Sequence, residues 1–199
     1  LLIIINDLTA SDYWYQPMYG LPTKSIEISG NNIFVGTSNG IWRSTDSGNS
    51  WVSVNNGLTI LDITNIAVLD SYVFAGSNLG LFKSTDNGDT WELVPFLKNY
   101  YISSIATSGS ILFIGTNHCI FISSDYGENW TEVGLKENIK NVFNVCVNEQ
   151  GVFASSYTDG LYYSADNGAT WTKLSALPNN KLVNIVSCFA FQGTNIYVG

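Results

Sequence analysis

Four tryptophans, Trp51, Trp91, Trp130 and Trp171, each close the same eight-residue phrase, and they stand 40, 39 and 41 residues apart. The phrase occupies residues 44–51, 84–91, 123–130 and 164–171, with Asp at its third place and Gly at its fifth every time. In phase with it runs an apolar tetrad at 33–36, 73–76, 112–115 and 152–155, and again at 196–199 where the chain stops. A period of about 40 residues fixes the architecture before local propensity is weighed, because each unit must be one module that stacks on its neighbours.

Each unit holds four strand-sized runs separated by turn residues; in the first they are 25–29, 32–37, 41–45 and 51–55. No stretch of ten residues carries the 3.6 period of an amphipathic helix. The fold class expected is all-β: a β-propeller of four-stranded antiparallel blades, about 40 residues each, incomplete in this chain. The blades fall at 22–58, 59–97, 98–137 and 138–177, with a partial fifth at 178–199. Residues 14–21 match 51–58 in pattern and read as a lone outer strand. Residues 1–13 form a leader, whose apolar Leu1–Ile5 is either the tail of a signal peptide or an ordinary strand. The chain lacks an initial Met and stops inside the repeat, so it reads as truncated at both ends.

The composition narrows the chemistry. Sixteen acidic residues against eight basic ones leave a net charge of −8, which argues against a nucleic-acid partner. No run of apolar residues is long enough to span a membrane. Arg43 is the single arginine and His118 the single histidine. Cys119, Cys146 and Cys188 are odd in number and lack metal-ligand spacing, so they are expected to be buried free thiols.

The Ser-x-Asp-x-Gly-x-Thr-Trp phrase resembles the Asp-box (BNR) repeat, and the resemblance covers nearly the whole chain from about residue 23. That family of β-propellers includes sialidases, sortilin-type receptors, xyloglucan hydrolases and a photosystem II assembly factor. The resemblance implies that the box lies between the third and fourth strands of a blade, opposite the face that usually carries a site. The residue chemistry agrees with a structural role. An Asp in a short loop accepts hydrogen bonds from backbone N–H groups just ahead of it, and Gly takes a positive φ without strain. The structural set is therefore Asp46, Gly48, Trp51, Asp86, Gly88, Trp91, Asp125, Gly127, Trp130, Asp166, Gly168 and Trp171. A calcium loop needs further oxygen ligands and a late Glu that are missing here, so no metal and no cofactor are expected.

Aromatic columns mark the core: Phe34, Phe74, Phe113, Phe153 and Tyr197 in the second strands, and Trp42, Phe82, Phe121 and Tyr162 in the third. The innermost column reads Glu27, Ala67, Ala106, Cys146 and Ala190, in which Glu27 is the charged exception. On the face opposite the boxes, exposed Tyr with Asn and Asp neighbours suits a sugar or a peptide. The ligand-binding candidates are Glu27, Tyr100, Tyr101, His118, Tyr157 and Asp159, against the alternative that they are ordinary turn residues.

Catalysis finds no footing in these residues. Sialidases of the family grip the substrate carboxylate with three arginines, and Arg43 stands alone. Other glycosidases need two carboxylates facing each other across a cleft, and the short, equal loops leave little scaffold for one. No Ser-His-Asp or Cys-His arrangement can be placed, and no catalytic residue is assigned. The reading is an exported binding or scaffold module, secreted, at the cell surface or periplasmic, monomeric, with a protein or carbohydrate ligand. The alternatives are a piece of a sialidase-like or xyloglucanase-like glycoside hydrolase, or a propeller like the photosystem II assembly factor. That factor uses a basic patch, which the acidic balance disfavours.

Overall fold

A computed structural model describes residues 20–134, 139–157, 159–174, 186–193 and 195–199. The expected leader and most of the lone outer strand at 14–21 lie outside these residues, as do the ends of the third and fourth units. The described chain is all-β apart from a 3-10 turn at Pro95–Leu97. No helix among the described residues is long and apolar enough to cross a membrane.

The strands group by sequence order into separate antiparallel sheets. The first holds β1 (Thr23–Ser29), β2 (Asn32–Thr37), β3 (Gly40–Ser44) and β4 (Val52–Ser53), and the second β5 (Ile63–Leu69), β6 (Tyr72–Ser77), β7 (Gly80–Ser84) and β8 (Glu92–Leu93). The third holds β9 (Ile102–Ser108), β10 (Ile111–Thr116), β11 (Ile120–Ser123) and β12 (Thr131–Val133). The fourth holds β13 (Val142–Asn148), β14 (Gly151–Ser156), β15 (Gly160–Ser164) and β16 (Thr172–Lys173), and β17 (Phe189–Gln192) pairs with β18 (Asn195–Val198) alone. The first strands β1, β5, β9 and β13 pack on one another in turn, so they line the inside of an arc of four blades.

A sheet four strands wide cannot bury its own faces, and the core accordingly sits between blades. Phe34, Ile41 and Val54 of the first blade meet Ile63, Phe82 and Trp91 of the second. Phe74 and Leu81 meet Ile102, Leu112 and Phe121 of the third, and Phe113 and Ile120 meet Val142, Tyr162 and Trp171 of the fourth. Tyr197 departs from its column: it is exposed, on the two-stranded hairpin of β17 and β18. The thiols also differ from expectation. All three are free, but only Cys119 is buried, Cys146 is half-buried and Cys188 is exposed.

The inner strands of the four blades, β1, β5, β9 and β13, each carry a β-bulge at the same place. Thr23 pairs with Thr37 and Ser25 with Gly36, which leaves Lys24 as the extra residue. Thr64, Ser103 and Phe143 are the extra residues of β5, β9 and β13. The bulge lets Ile63 and Ile66, three apart in one strand, both turn into the same interface. Gly36 and Gly76 leave the room this needs, since a Cβ there would lie 2.9 Å from Ile63 and 2.6 Å from Ile102.

Candidate functional site

The two ends of the blades are built differently. At one end lie the loops between third and fourth strands, and they are four copies of one device. In the second blade the Ser84 hydroxyl donates to Asp86 Oδ1 at 2.8 Å while accepting from the Gly88 N–H at 2.8 Å. The Thr90 N–H and hydroxyl donate to the two carboxylate oxygens of Asp86 at 2.9 and 2.6 Å. Asp46, Asp125 and Asp166 accept the same pairs of bonds from Ser50, Asn129 and Thr170. These donors hold the carboxyls of all four aspartates down at about 2.

Two consecutive residues of each loop are left-handed, a feature the repeat hides because only the second is glycine. Ser47, Asn87, Tyr126 and Asn167 have φ between 54° and 61° ahead of Gly48, Gly88, Gly127 and Gly168. The glycine is also needed for space: a Cβ on Gly88 would lie 3.0 Å from Phe34, and one on Gly127 3.1 Å from Phe74, both in the preceding blade. The tryptophan indoles of Trp51, Trp130 and Trp171 donate to Gly48, Gly127 and Gly168 of their own loops. Trp91 instead donates to Val54 O of the preceding blade at 2.8 Å.

Arg43 belongs to this end. It donates to Asn87 O at 2.6 Å and pairs with Asp89 at 2.7 Å, clamping the first blade to the second. Lys83 repeats the clamp on Glu128 at 2.5 Å. Ile122 takes the same place in the third blade and lies against Gly168, so an apolar contact replaces the ion pair.

At the opposite end is a cleft of about 770 Å³. The four bulge residues Lys24, Thr64, Ser103 and Phe143 all line it, together with Tyr101 and Tyr157. Asn65, Asn117, Asn141 and Asn144 add amides. The short loops therefore do not preclude a cleft, contrary to the sequence expectation, because bulged inner strands supply much of its wall. Many of its polar groups also tie blades together. Thr64 and Ser103 donate to Ile102 O and Val142 O at 2.7 and 2.6 Å, and the Asn65 amide donates to Ser103 O at 2.7 Å. Lys24 is the lone charged residue among the described lining, and Asp62 pairs with it. Phe143 and Tyr157 pack against each other with ring centres 5.3 Å apart and planes inclined by 59°.

The six ligand-binding candidates divide. Tyr101 and Tyr157 reach the cleft, and both are exposed. Tyr100, next in sequence, turns the other way and lies edge-on to Phe121 at 5.0 Å, half-buried rather than exposed. Glu27 sits on β1 opposite Phe34, half-buried and away from the cleft lining, and burial raises its carboxyl against a backbone hydrogen bond from Val68. Asp159 pairs with Lys173 and accepts the Tyr162 hydroxyl. His118 pairs with Glu132 at 3.2 Å. The four bulge residues Lys24, Thr64, Ser103 and Phe143 were missed, as were Asn65, Asn141 and Asn144. The signal for Phe143 was present: two apolar residues three apart in a strand, Val142 and Val145, break the alternation and announce the bulge.

The sequence over residues 69–195 matches the family model of the DUF6242 beta propeller domain. No curated protein matches the sequence. Among solved structures, the extracellular domain of a putative one component system from B. thetaiotaomicron is 18% identical with a TM-score of 0.73, over 93% of this chain and 27% of that one. The GH74 xyloglucanase from Xanthomonas campestris is 18% identical with a TM-score of 0.59, over 72% of this chain and 28% of that one. YCF48 bound to D1 peptide is 14% identical with a TM-score of 0.65, over 89% of this chain and 60% of that one. At these identities the likeness is one of fold, and the chain spans less than two thirds of each relative.

Proposed function

The chain belongs to the DUF6242 beta propeller domain family, and from that premise we propose that it is an exported, non-catalytic binding module whose ligand is an uncharged carbohydrate. The cleft carries the reading. Rings at Tyr101, Phe143 and Tyr157 offer flat apolar faces, asparagine amides offer donors and acceptors, and the one cation is tied to Asp62. A sugar without charge matches such a surface, since its C–H faces stack on rings while its hydroxyls bond amides. An acidic sugar finds no free guanidinium, because Arg43 is committed to the far end of the blades. The described lining contains no carboxylate, so it holds neither member of a glycosidase pair. The four loops at the far end are proposed to be Asp-box repeats with a purely structural role, and the module is proposed to act as a monomer. Export is supported by the kinship in fold with an extracellular domain.

A peptide is the second reading, favoured by the fold that the chain shares with a propeller bound to a peptide. Calorimetric titration with neutral glucan and xyloglucan oligosaccharides, sialosides and unstructured peptides separates the two. Binding of a neutral oligosaccharide, lowered about tenfold by Tyr157→Ala, is expected. Binding of peptides alone transfers the cleft to the second reading. Turnover of a bound sugar overturns the non-catalytic assignment.

A further inference from the structure

The third blade breaks the repeat at one place outside the cleft. Cys119 stands where the other blades have Gly40, Gly80 and Gly160, whose φ values lie between 92° and 149°. A Cβ at Gly80 would meet Leu93 of the outer strand, 2.9 Å away, so a side chain at this position points at the outer strand. In the third blade that outer-strand position is Glu132, and the residue before the cysteine is His118.

We propose that His118, Cys119 and Glu132 form a three-ligand site for a zinc-class divalent ion. Their ligand atoms all lie within 4.8 Å of one another. His118 Nε2 and Glu132 Oε1 are 3.2 Å apart. A tetrahedral ion bonded to nitrogen and oxygen at about 2.0–2.1 Å holds those atoms about 3.3 Å apart, so one edge of the tetrahedron is already formed. Closing the rest takes a movement of roughly 1 Å by side chains, two of which are exposed. A thiolate, an imidazole and a carboxylate together favour zinc over magnesium or calcium, which prefer all-oxygen shells. Uptake forms the metal–sulfur bond as the thiol proton leaves to solvent. The fourth position faces solvent beside the exposed His118 ring, open to water or a ligand donor. The matching positions of the fourth blade hold Asp159 and Lys173, an ion pair with no room for a cation, so the site is particular to the third. No metal was expected from the sequence, because Glu132 arrives only through the pairing of β11 with β12.

Titration of the metal-free full chain with Co2+ tests the site. One equivalent with a thiolate-to-cobalt charge-transfer band, displaced by Zn2+, is the expected result. Cys119→Ser abolishes the band, Cys188→Ser leaves it, and His118→Ala and Glu132→Gln each weaken binding about tenfold or more. Should Cys119→Ser fail to fold, the two exposed variants still report. Absence of the band, its loss in Cys188→Ser, or unchanged affinity in both His118→Ala and Glu132→Gln overturns the assignment.

Discussion

The two ends of the blades have been treated differently by repetition. At the Asp46, Asp86, Asp125 and Asp166 loops, four copies keep the same bonds to within about a tenth of an ångström. At the cleft, the equivalent bulge position holds an ammonium, two hydroxyls and a phenyl ring. Where the backbone is left-handed and a Cβ would crowd the preceding blade, as at Gly88 and Gly127, substitution is closed off. At a bulge the side chain stands outside the strand ladder, so an ammonium, a hydroxyl or a ring is accommodated without a change of register. Sameness at one end goes with a demanding backbone geometry, and difference at the other marks the cleft proposed for recognition.

The comparison breaks if the regular end turns out dispensable or the variable end turns out structural. The largest effect is expected from Phe74→Ala, which empties a fully buried site beneath the Gly127 loop. It should cost about 3–4 kcal/mol in urea unfolding. Gly127→Ala forces a Cβ onto a residue at φ +83° and against Phe74, with an expected loss of about 1–2 kcal/mol. Asp86→Ala removes an acceptor from the Thr90 amide and hydroxyl, but the loop is open to water, which limits the loss to about 1 kcal/mol.

Acid offers a finer probe of the same loops. The folded carboxyls lie near 2, below the 3.8 of an unfolded chain, so folding favours the ionised form. That contribution is complete above the unfolded value and is lost as pH falls through about 2. The melting temperature should therefore fall between roughly pH 4 and 2, and less steeply in Asp86→Asn. The smallest stability change is expected at the other end. Tyr157→Ala should move unfolding by within about 0.5 kcal/mol while weakening the ligand. If its stability loss matches that of Gly127→Ala, the distinction between the ends fails.

Much of the fold was legible because a period repeated four times averages out local ambiguity. The aromatic columns of β2, β6, β10 and β14 were placed correctly, since each sits between two blades wherever it occurs. Tyr197 was misplaced because its position matched while its surroundings did not. The cleft was half legible. Tyr101 and Tyr157 could be guessed as loop residues on the right face, but Tyr100 and Tyr101 point opposite ways, and only strand register settles which. His118 and Asp159 are met by outer-strand partners, Glu132 and Lys173, that adjacency in sequence does not reveal. The bulges were written in the spacing of Ile63 and Ile66 and of Val142 and Val145, and reading strict alternation concealed them.

Those bulges bear on how such a chain can acquire new partners. A bulged residue has no opposite number in the ladder, so exchanging it leaves the strand register alone. Each blade thus brings one position whose side chain can vary without shifting the register, and the proposed cleft can be altered one blade at a time, constrained at Thr64 and Ser103 by the hydrogen bond each makes to the next blade.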